Sequence, residues 1–176
     1  ELITEQANAL AAAGDLEAAQ QAIGNALPDL QGAPRVAMLM LRAGFRQQLG
    51  DDARSVEDLE EAYSLEADRV RDVLSMALER WRSRASAAGS RDAERAATLR
   101  LAQLKLQLGQ TEAGRNLLVA WIEREPSDPE PLVQLCEIDE SIEHWDGVLA
   151  GATRLAYITT GPDQVRAALR TASAAA

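Results

Sequence analysis

From Val70 onward, apolar residues recur at Val73, Leu74, Ala77, Leu78, Trp81 and Ala85, the three-and-four spacing that sets one stripe of a helix against a core. Ala97, Leu101, Leu104 and Leu108 repeat it. β-Branched and aromatic residues are sparse, and no period-two run lies between hairpin turns, so strands are not expected. Gly14, Gly50 and Gly109, each followed by Asp or Gln, end helices by taking the left-handed conformation, and Pro28, Pro34, Pro126 and Pro129 mark further breaks. The pattern predicts ten helices: Leu2–Ala13, Leu16–Leu27, Arg35–Leu49, Ala53–Leu65, Arg69–Ala87, Asp92–Leu108, Glu112–Glu125, Glu130–Ile138, Ile142–Thr159 and Asp163–Ala172. Their short links make successive helices antiparallel neighbours.

Aligning the chain on its helix-ending glycines brings out a repeat. Seven residues before Gly14, Gly50 and Gly109 stand Ala7, Ala43 and Ala102, and five residues after them Ala19, Ser55 and Gly114, small residues where two helices of a pair approach closely. Nine after come Ile23, Leu59 and Leu118, and twelve after come Ala26, Ala62 and Trp121, which pack on the next pair. This order of small, Gly, small, bulky and Ala, closed in the third copy by Pro126, resembles the tetratricopeptide repeat. A fourth copy keeps the second-helix spacing in Trp145, Val148, Ala152 and Leu155 but lacks the turn glycine. The aromatic usual four residues before that glycine is replaced by Leu10, Arg46 and Lys105. Gly14 to Gly50 is 36 residues, one repeat, whereas Gly50 to Gly109 is 59, so Arg69–Ala87 is either an extra helix or a change of pairing phase.

The resemblance implies an all-α fold, a right-handed α-solenoid of antiparallel helix pairs, over one domain spanning residues 1–176. With Glu1 in place of an initiating Met and an Ala174–Ala176 tail, a piece of a longer protein is expected. Aromatics are only 3% against 47% hydrophobic residues, so Ala, Leu, Val and Ile must build the core of closely packed helices. The net charge of −10 argues against binding nucleic acid or anionic membranes, and apolar runs of six residues are too short to span one. A soluble protein is expected, cytoplasmic or periplasmic and of unspecified oligomeric state; the Ala-rich, Arg-preferring composition is of bacterial style.

Candidate chemistry is thin. His144 and Cys136 are the only residues of their kinds, and eight positions apart on a helix they would stand about 12 Å apart, too far for a nucleophile and its base. The acidic run Glu137, Asp139, Glu140, Glu143, His144 and Asp146 lacks calcium-loop spacing and reads as a solvated helix end, and neither zinc ligands nor a phosphate loop are present. Asp51 with Asp52, and Glu60 with Glu61, read as ordinary surface, and Cys136, Trp81, Trp121 and Trp145 as core. No enzyme activity, metal or cofactor is expected.

In tetratricopeptide proteins the first helices of successive pairs line a groove that receives a peptide or helix. The matching positions here are Thr4 and Asn8, then Met40, Gln47 and Gln48, then Leu99, Gln103 and Gln107. The amides Asn8, Gln47, Gln48, Gln103 and Gln107 offer donors and acceptors to a peptide backbone. Asn8 matches one position of the clamp by which some family members hold a terminal carboxylate, but Thr4 and Leu41 stand where Lys and Asn are needed, so such a clamp is not expected. Charge is uneven: residues 1–68 carry a net −9 and 106–147 a net −8, but 69–105 carry +5. Arg80 and Arg84 lie one turn apart, as do Arg91 and Arg95, and convergence near Gly89 would offer forked donors to carboxylates or phosphate, unless these arginines pair with the neighbouring acidic repeats. The expected function is a protein-interaction scaffold with a protein or peptide partner that the basic stretch allows to be acidic; the alternative is the sensor arm of a larger signalling or transcription-regulatory protein.

Overall fold

The computed structural model describes residues 2–158, and in them the chain forms nine α-helices. These are α1 (Leu2–Ala12), α2 (Leu16–Ala26), α3 (Gly32–Gln48), α4 (Asp52–Leu65), α5 (Ala67–Ala87), α6 (Arg91–Gln107), α7 (Thr111–Arg124), α8 (Pro129–Ser141) and α9 (Trp145–Ile158), with one 3-10 turn at Leu27–Asp29. The tenth predicted helix, Asp163–Ala172, lies outside the described residues. No strand is found among them. Two compact units divide the chain, Glu1–Ala97 and Thr98–Ala176.

In the first unit α1 packs on α2, α2 on α3, α3 on α4 and α4 on α5. The repeat positions carry this packing: Ala7, Ala19, Ile23, Ala43, Ser55, Leu59 and Ala62 are buried, and Val36, Leu39, Val56, Val70, Leu74 and Leu78 complete the core. Each fully buried Ile, Leu or Val is worth about 1.5–3 kcal/mol in apolar surface removed from water. Between α3 and α4 the two small positions meet directly, because the Ser55 hydroxyl donates to the Ala43 carbonyl at 2.9 Å. Pro34 falls in the first turn of α3, where its missing N–H has no helical acceptor to lose, so the helix runs through it from Gly32.

The second unit has α7 on α8 and α8 on α9, with Leu99, Ala102, Leu118, Ile122, Leu132 and Ile138 as its core. Ala102 and Gly114 are again neighbours: a Cβ built on Gly114 would stand 2.9 Å from the Ala102 carbonyl oxygen.

Five helix ends share one backbone device. Past α1, α3, α5, α6 and α8 the chain turns through a residue at positive φ: Gly14, Gly50, Gly89, Gly109 and Glu143. In each case the next residue's N–H returns to a carbonyl five back, as from Gln110 to Lys105 at 2.8 Å and from His144 to Asp139 at 2.7 Å. Both bonds of the Schellman motif are present, satisfying carbonyls a helix end would otherwise leave open. Asp15 and Asp51 then cap the following helices by accepting from the N–H of Ala18 and Arg54. The 59-residue interval holds the additional turn at Gly89, so α5 and α6 are separate helices within it.

Several side chains depart from the sequence reading. The break expected after Ile138 lies at residues 142–144, because the acidic run continues α8 to Ser141. Val73, counted with the buried stripe of α5, is 39% exposed, and Trp145 is 43% exposed rather than core. Asp52 and Asp139 are buried, not surface, each held by an arginine of another helix.

Candidate functional site

The α6–α8 region forms a surface groove of about 400 Å³ lined by Gln103, Leu106, Thr111, Gln134, Glu137, Ile138 and Ser141. Leu106 and buried Ile138 supply an apolar floor, and the polar groups stand along it. Gln103 is exposed and Gln134 half-buried, so their amides face a space large enough for side chains of another chain. Ser141 spends its donor on the Ile138 carbonyl at 2.7 Å. Of the residues expected to line a groove, Gln103 does so here, and Gln107 is exposed one turn further along α6. Gln134 carries no sequence signal for this groove, and Glu137, which the sequence places in the acidic run at a solvated helix end, also lines it. Glu137 stands six residues before the turn at Glu143, as Gln103 stands six before Gly109 and Asn8 six before Gly14, but without a glycine at 143 that register is invisible.

In the first unit the structure brings together two residues that the sequence had placed in separate features. Arg80 of α5 donates through Nη1 to Oε1 of Gln47 on α3 at 2.6 Å. Arg84 pairs with Asp52 at 3.2 Å, so both arginines of that pair reach the turn between α3 and α4 rather than the turn at Gly89. Gln48 and Asn8 are exposed, Arg91 is exposed and Arg95 half-buried at the start of α6, and Thr4 and Met40 are half-buried.

Charge elsewhere is committed to holding helices. Asp58 of α4 accepts from Arg42 Nε at 3.0 Å and Nη2 at 2.5 Å, and Arg46 reaches it at 2.9 Å. Burial pushes its pKa above the ordinary value against the pull of Arg42 and Arg46. Asp139 accepts from Arg115 Nε at 2.6 Å, with His144 Nδ1 3.4 Å away. That bond to Asp139 is the main cause raising the Arg115 pKa. Burial and the carboxylates of Asp139, Glu137 and Glu140 raise Cys136, which keeps it a thiol at neutral pH and a poor nucleophile. Trp121 is buried, its indole N–H donating to Asp128 at 3.0 Å. A smaller concavity of about 300 Å³ between α7, α8 and α9 has apolar walls at Val119, Leu135 and Ala150. Arg115 and Arg154 also line it, Arg154 donating to the Ile122 carbonyl at 3.2 Å. Among the described residues no cluster of His, Cys, Asp and Glu is arranged to hold a metal ion, and no helix is long and apolar enough to cross a membrane.

The hairpins α1–α2, α3–α4 and α6–α7 are thus tetratricopeptide-like, defined by the shared turn and the buried small pairs Ala7 with Ala19, Ala43 with Ser55 and Ala102 with Gly114, and α8–α9 keeps the turn without the small pair. No protein-family model matches the chain, and no curated protein does. Solved structures with similar backbones include a tetratricopeptide repeat protein from Parabacteroides merdae, 13% identical with a TM-score of 0.42, over 98% of this chain and 58% of that one. Another is a thermophilic TPR protein in Thermus thermophilus, 21% identical with a TM-score of 0.41, covering 98% of this chain and 97% of its own. PilW, a type IV pilus biogenesis factor, is 16% identical with a TM-score of 0.43, over 99% and 87% of the two chains. The chain spans less than two thirds of the Parabacteroides protein. At these TM-scores the likenesses identify no partner, compartment or activity.

Proposed function

We propose that the chain is a protein-interaction scaffold that receives an extended peptide of a partner in the groove between α6 and α8. The observation that carries this reading is the pairing of amides with an apolar floor. Gln103 and Gln134 can each donate to and accept from a peptide backbone, while Leu106 and Ile138 receive an apolar side chain. Glu137 at the same groove disfavours a peptide whose acidic residues fall there and favours a neutral or basic one. Thr4 and Leu41, standing where a terminal-carboxylate clamp needs Lys and Asn, leave Asn8 as the matching clamp position and argue against recognition by a terminal carboxylate alone.

The test is a screen of the full chain against a random library of 12-residue peptides, followed by affinity measurement on Gln103→Ala with Gln134→Ala. Loss of about tenfold or more in affinity is expected, since two backbone-directed hydrogen bonds are removed from the groove. Failure of any peptide to bind, or binding unaffected by the double substitution, removes the reading.

A further inference from the structure

Helix α5 has two faces. One is core: Val70, Leu74, Ala77, Leu78 and Ala85 are buried. The other is a single stripe at three-and-four spacing, Arg69, Val73, Met76, Arg80 and Arg84, and all five side chains are exposed. Met76 is 62% exposed and Val73 39%. Single exposed apolar residues on a surface need no explanation, but here two of them are neighbours on the stripe with arginines beyond both ends.

Partnering along the stripe is uneven. Arg84 holds the buried carboxylate of Asp52, which ties it to the fold. Arg69 meets Glu66, the residue just before its helix, at 3.2 Å, an exposed pair of little energetic weight. Arg80 donates to the neutral amide of Gln47. A carboxylate in place of that amide gives a charge-assisted bond, shorter and about twice as strong. The stripe also lies in the one stretch, residues 69–105, whose charge is +5, between segments of −9 and −8.

We infer that this outer stripe of α5 is a docking surface for an acidic, amphipathic segment of a partner protein. An apolar side chain of that segment rests on Val73 and Met76, where the unbranched thioether adapts to its shape, and a carboxylate one turn away replaces Gln47 as the acceptor of Arg80. Charge complementarity selects the occupant. A basic segment would face the guanidinium of Arg80, with Arg69 and Arg84 each engaged by a carboxylate, while an acidic one is disfavoured along residues 1–68 and 106–147 by their net charges of −9 and −8 and so is guided to this stretch. The surface is distinct from the groove between α6 and α8 and does not depend on it.

The experiment is fluorescence anisotropy of the full chain with three labelled 15-residue amphipathic peptides that share one pattern of leucines and differ in their polar residues, Glu, Gln or Lys. The Glu peptide is expected to bind, and the Gln and Lys peptides at least about tenfold more weakly. Arg80→Glu and Met76→Asp should each weaken the Glu peptide by about tenfold or more while leaving the thermal melt unchanged, since both side chains are exposed. Arg84 is left intact because its removal would strand Asp52. No binding of the Glu peptide up to about 1 mM, equal binding of the Gln peptide, or parental affinity in both variants overturns the assignment. The Gln103→Ala, Gln134→Ala protein in the same titration separates the two surfaces: weakening there, with the α5 variants unaffected, overturns this inference and leaves the groove reading standing.

Discussion

The α6–α7 and α8–α9 hairpins reach the same backbone geometry with different residues. Both turn through a residue at positive φ, +70 at Gly109 and 57 at Glu143, and both close the same pair of hydrogen bonds. In the first, the helices approach at Ala102 and Gly114, seven before and five after the turn. In the second those positions are Cys136 and Val148, and closeness moves to Gly151, packed on the Cys136 sulfur, and Gly147, packed on the Asp139 carboxylate and His144. An ion pair enters as well, Arg115 of α7 to Asp139 of α8. What repeats is therefore the turn and the helix separation; the side chains that permit them can be moved by a few positions. The small-residue hairpin closes by van der Waals contact at Ala102 and Gly114, whereas the second closes at Gly147 and Gly151 and is tied to α7 of the first by the buried carboxylate of Asp139.

Removing that charge should produce the largest effect. Asp139→Ala strips Arg115 of its acceptor and opens a void beside Gly147, and a loss of about 3 kcal/mol in urea unfolding is expected, as for other pairs broken from one side. A loss under about 1 kcal/mol would mean that apolar packing alone holds α8 and α9 to α7. The corresponding change in the other hairpin is Gly114→Ala. A Cβ there meets the Ala102 carbonyl at 2.9 Å, and since backbone cannot swing aside as a side chain can, about 1–3 kcal/mol should be lost. Gly44 is the control: nothing lies within 4 Å of its Cβ, so Gly44→Ala should gain about 0.5–1 kcal/mol of helix propensity. Equal effects at Gly44 and Gly114 would refute the close approach.

The same contrast explains what could be read from the sequence. Three hairpins were legible because each carries its turn glycine and its small pair at fixed offsets. The Gly89 turn has the identical backbone bonds, yet its offset positions hold Arg82 and Glu94, so alignment on small residues passes it by. Arg82 Nε is enclosed there without a hydrogen-bond partner among the described residues, and Glu94 is buried, features that no periodicity announces. Val73 was misplaced because three-and-four spacing also admits the flank of a stripe, and only the neighbouring helix decides which flank is covered. Asp52 and Asp139 looked like surface because their arginines lie 32 and 24 residues away in the chain. Groove residues were legible where a glycine set the register, at Gln103, and illegible at Glu137 where none did.

Backbone strain at the turns gives the next step down. At Gly109 a Cβ would touch nothing within 4 Å, so Gly109→Val tests conformation without a clash against neighbours. A β-branched residue held at positive φ should cost about 1–2 kcal/mol. An unchanged midpoint would place the turn somewhere other than Gly109.

The smallest effect, and the sharpest test of the comparison, has the opposite sign. Glu143 already occupies the left-handed region with a full side chain, so the α8–α9 turn carries a strain that the α6–α7 turn avoids. Glu143→Gly relieves that strain but gives the unfolded chain more freedom, and the two terms oppose each other. The net should be a gain of at most about 1 kcal/mol, because the strain of a non-glycine residue in this region is about 1–2 kcal/mol and the added backbone entropy offsets part of it. Loss of one exposed carboxylate, in a run that also holds Glu137, Glu140 and Asp146, reduces like-charge repulsion and acts in the same direction. Glu143→Gln isolates that charge effect, since it retains the side chain at positive φ. If Glu143→Gly and Glu143→Gln gain the same amount, charge alone is responsible and the turn is not strained. If Glu143→Gly exceeds Glu143→Gln while Gly109→Val loses stability, the two hairpins share one backbone requirement, met by glycine in one and merely tolerated in the other.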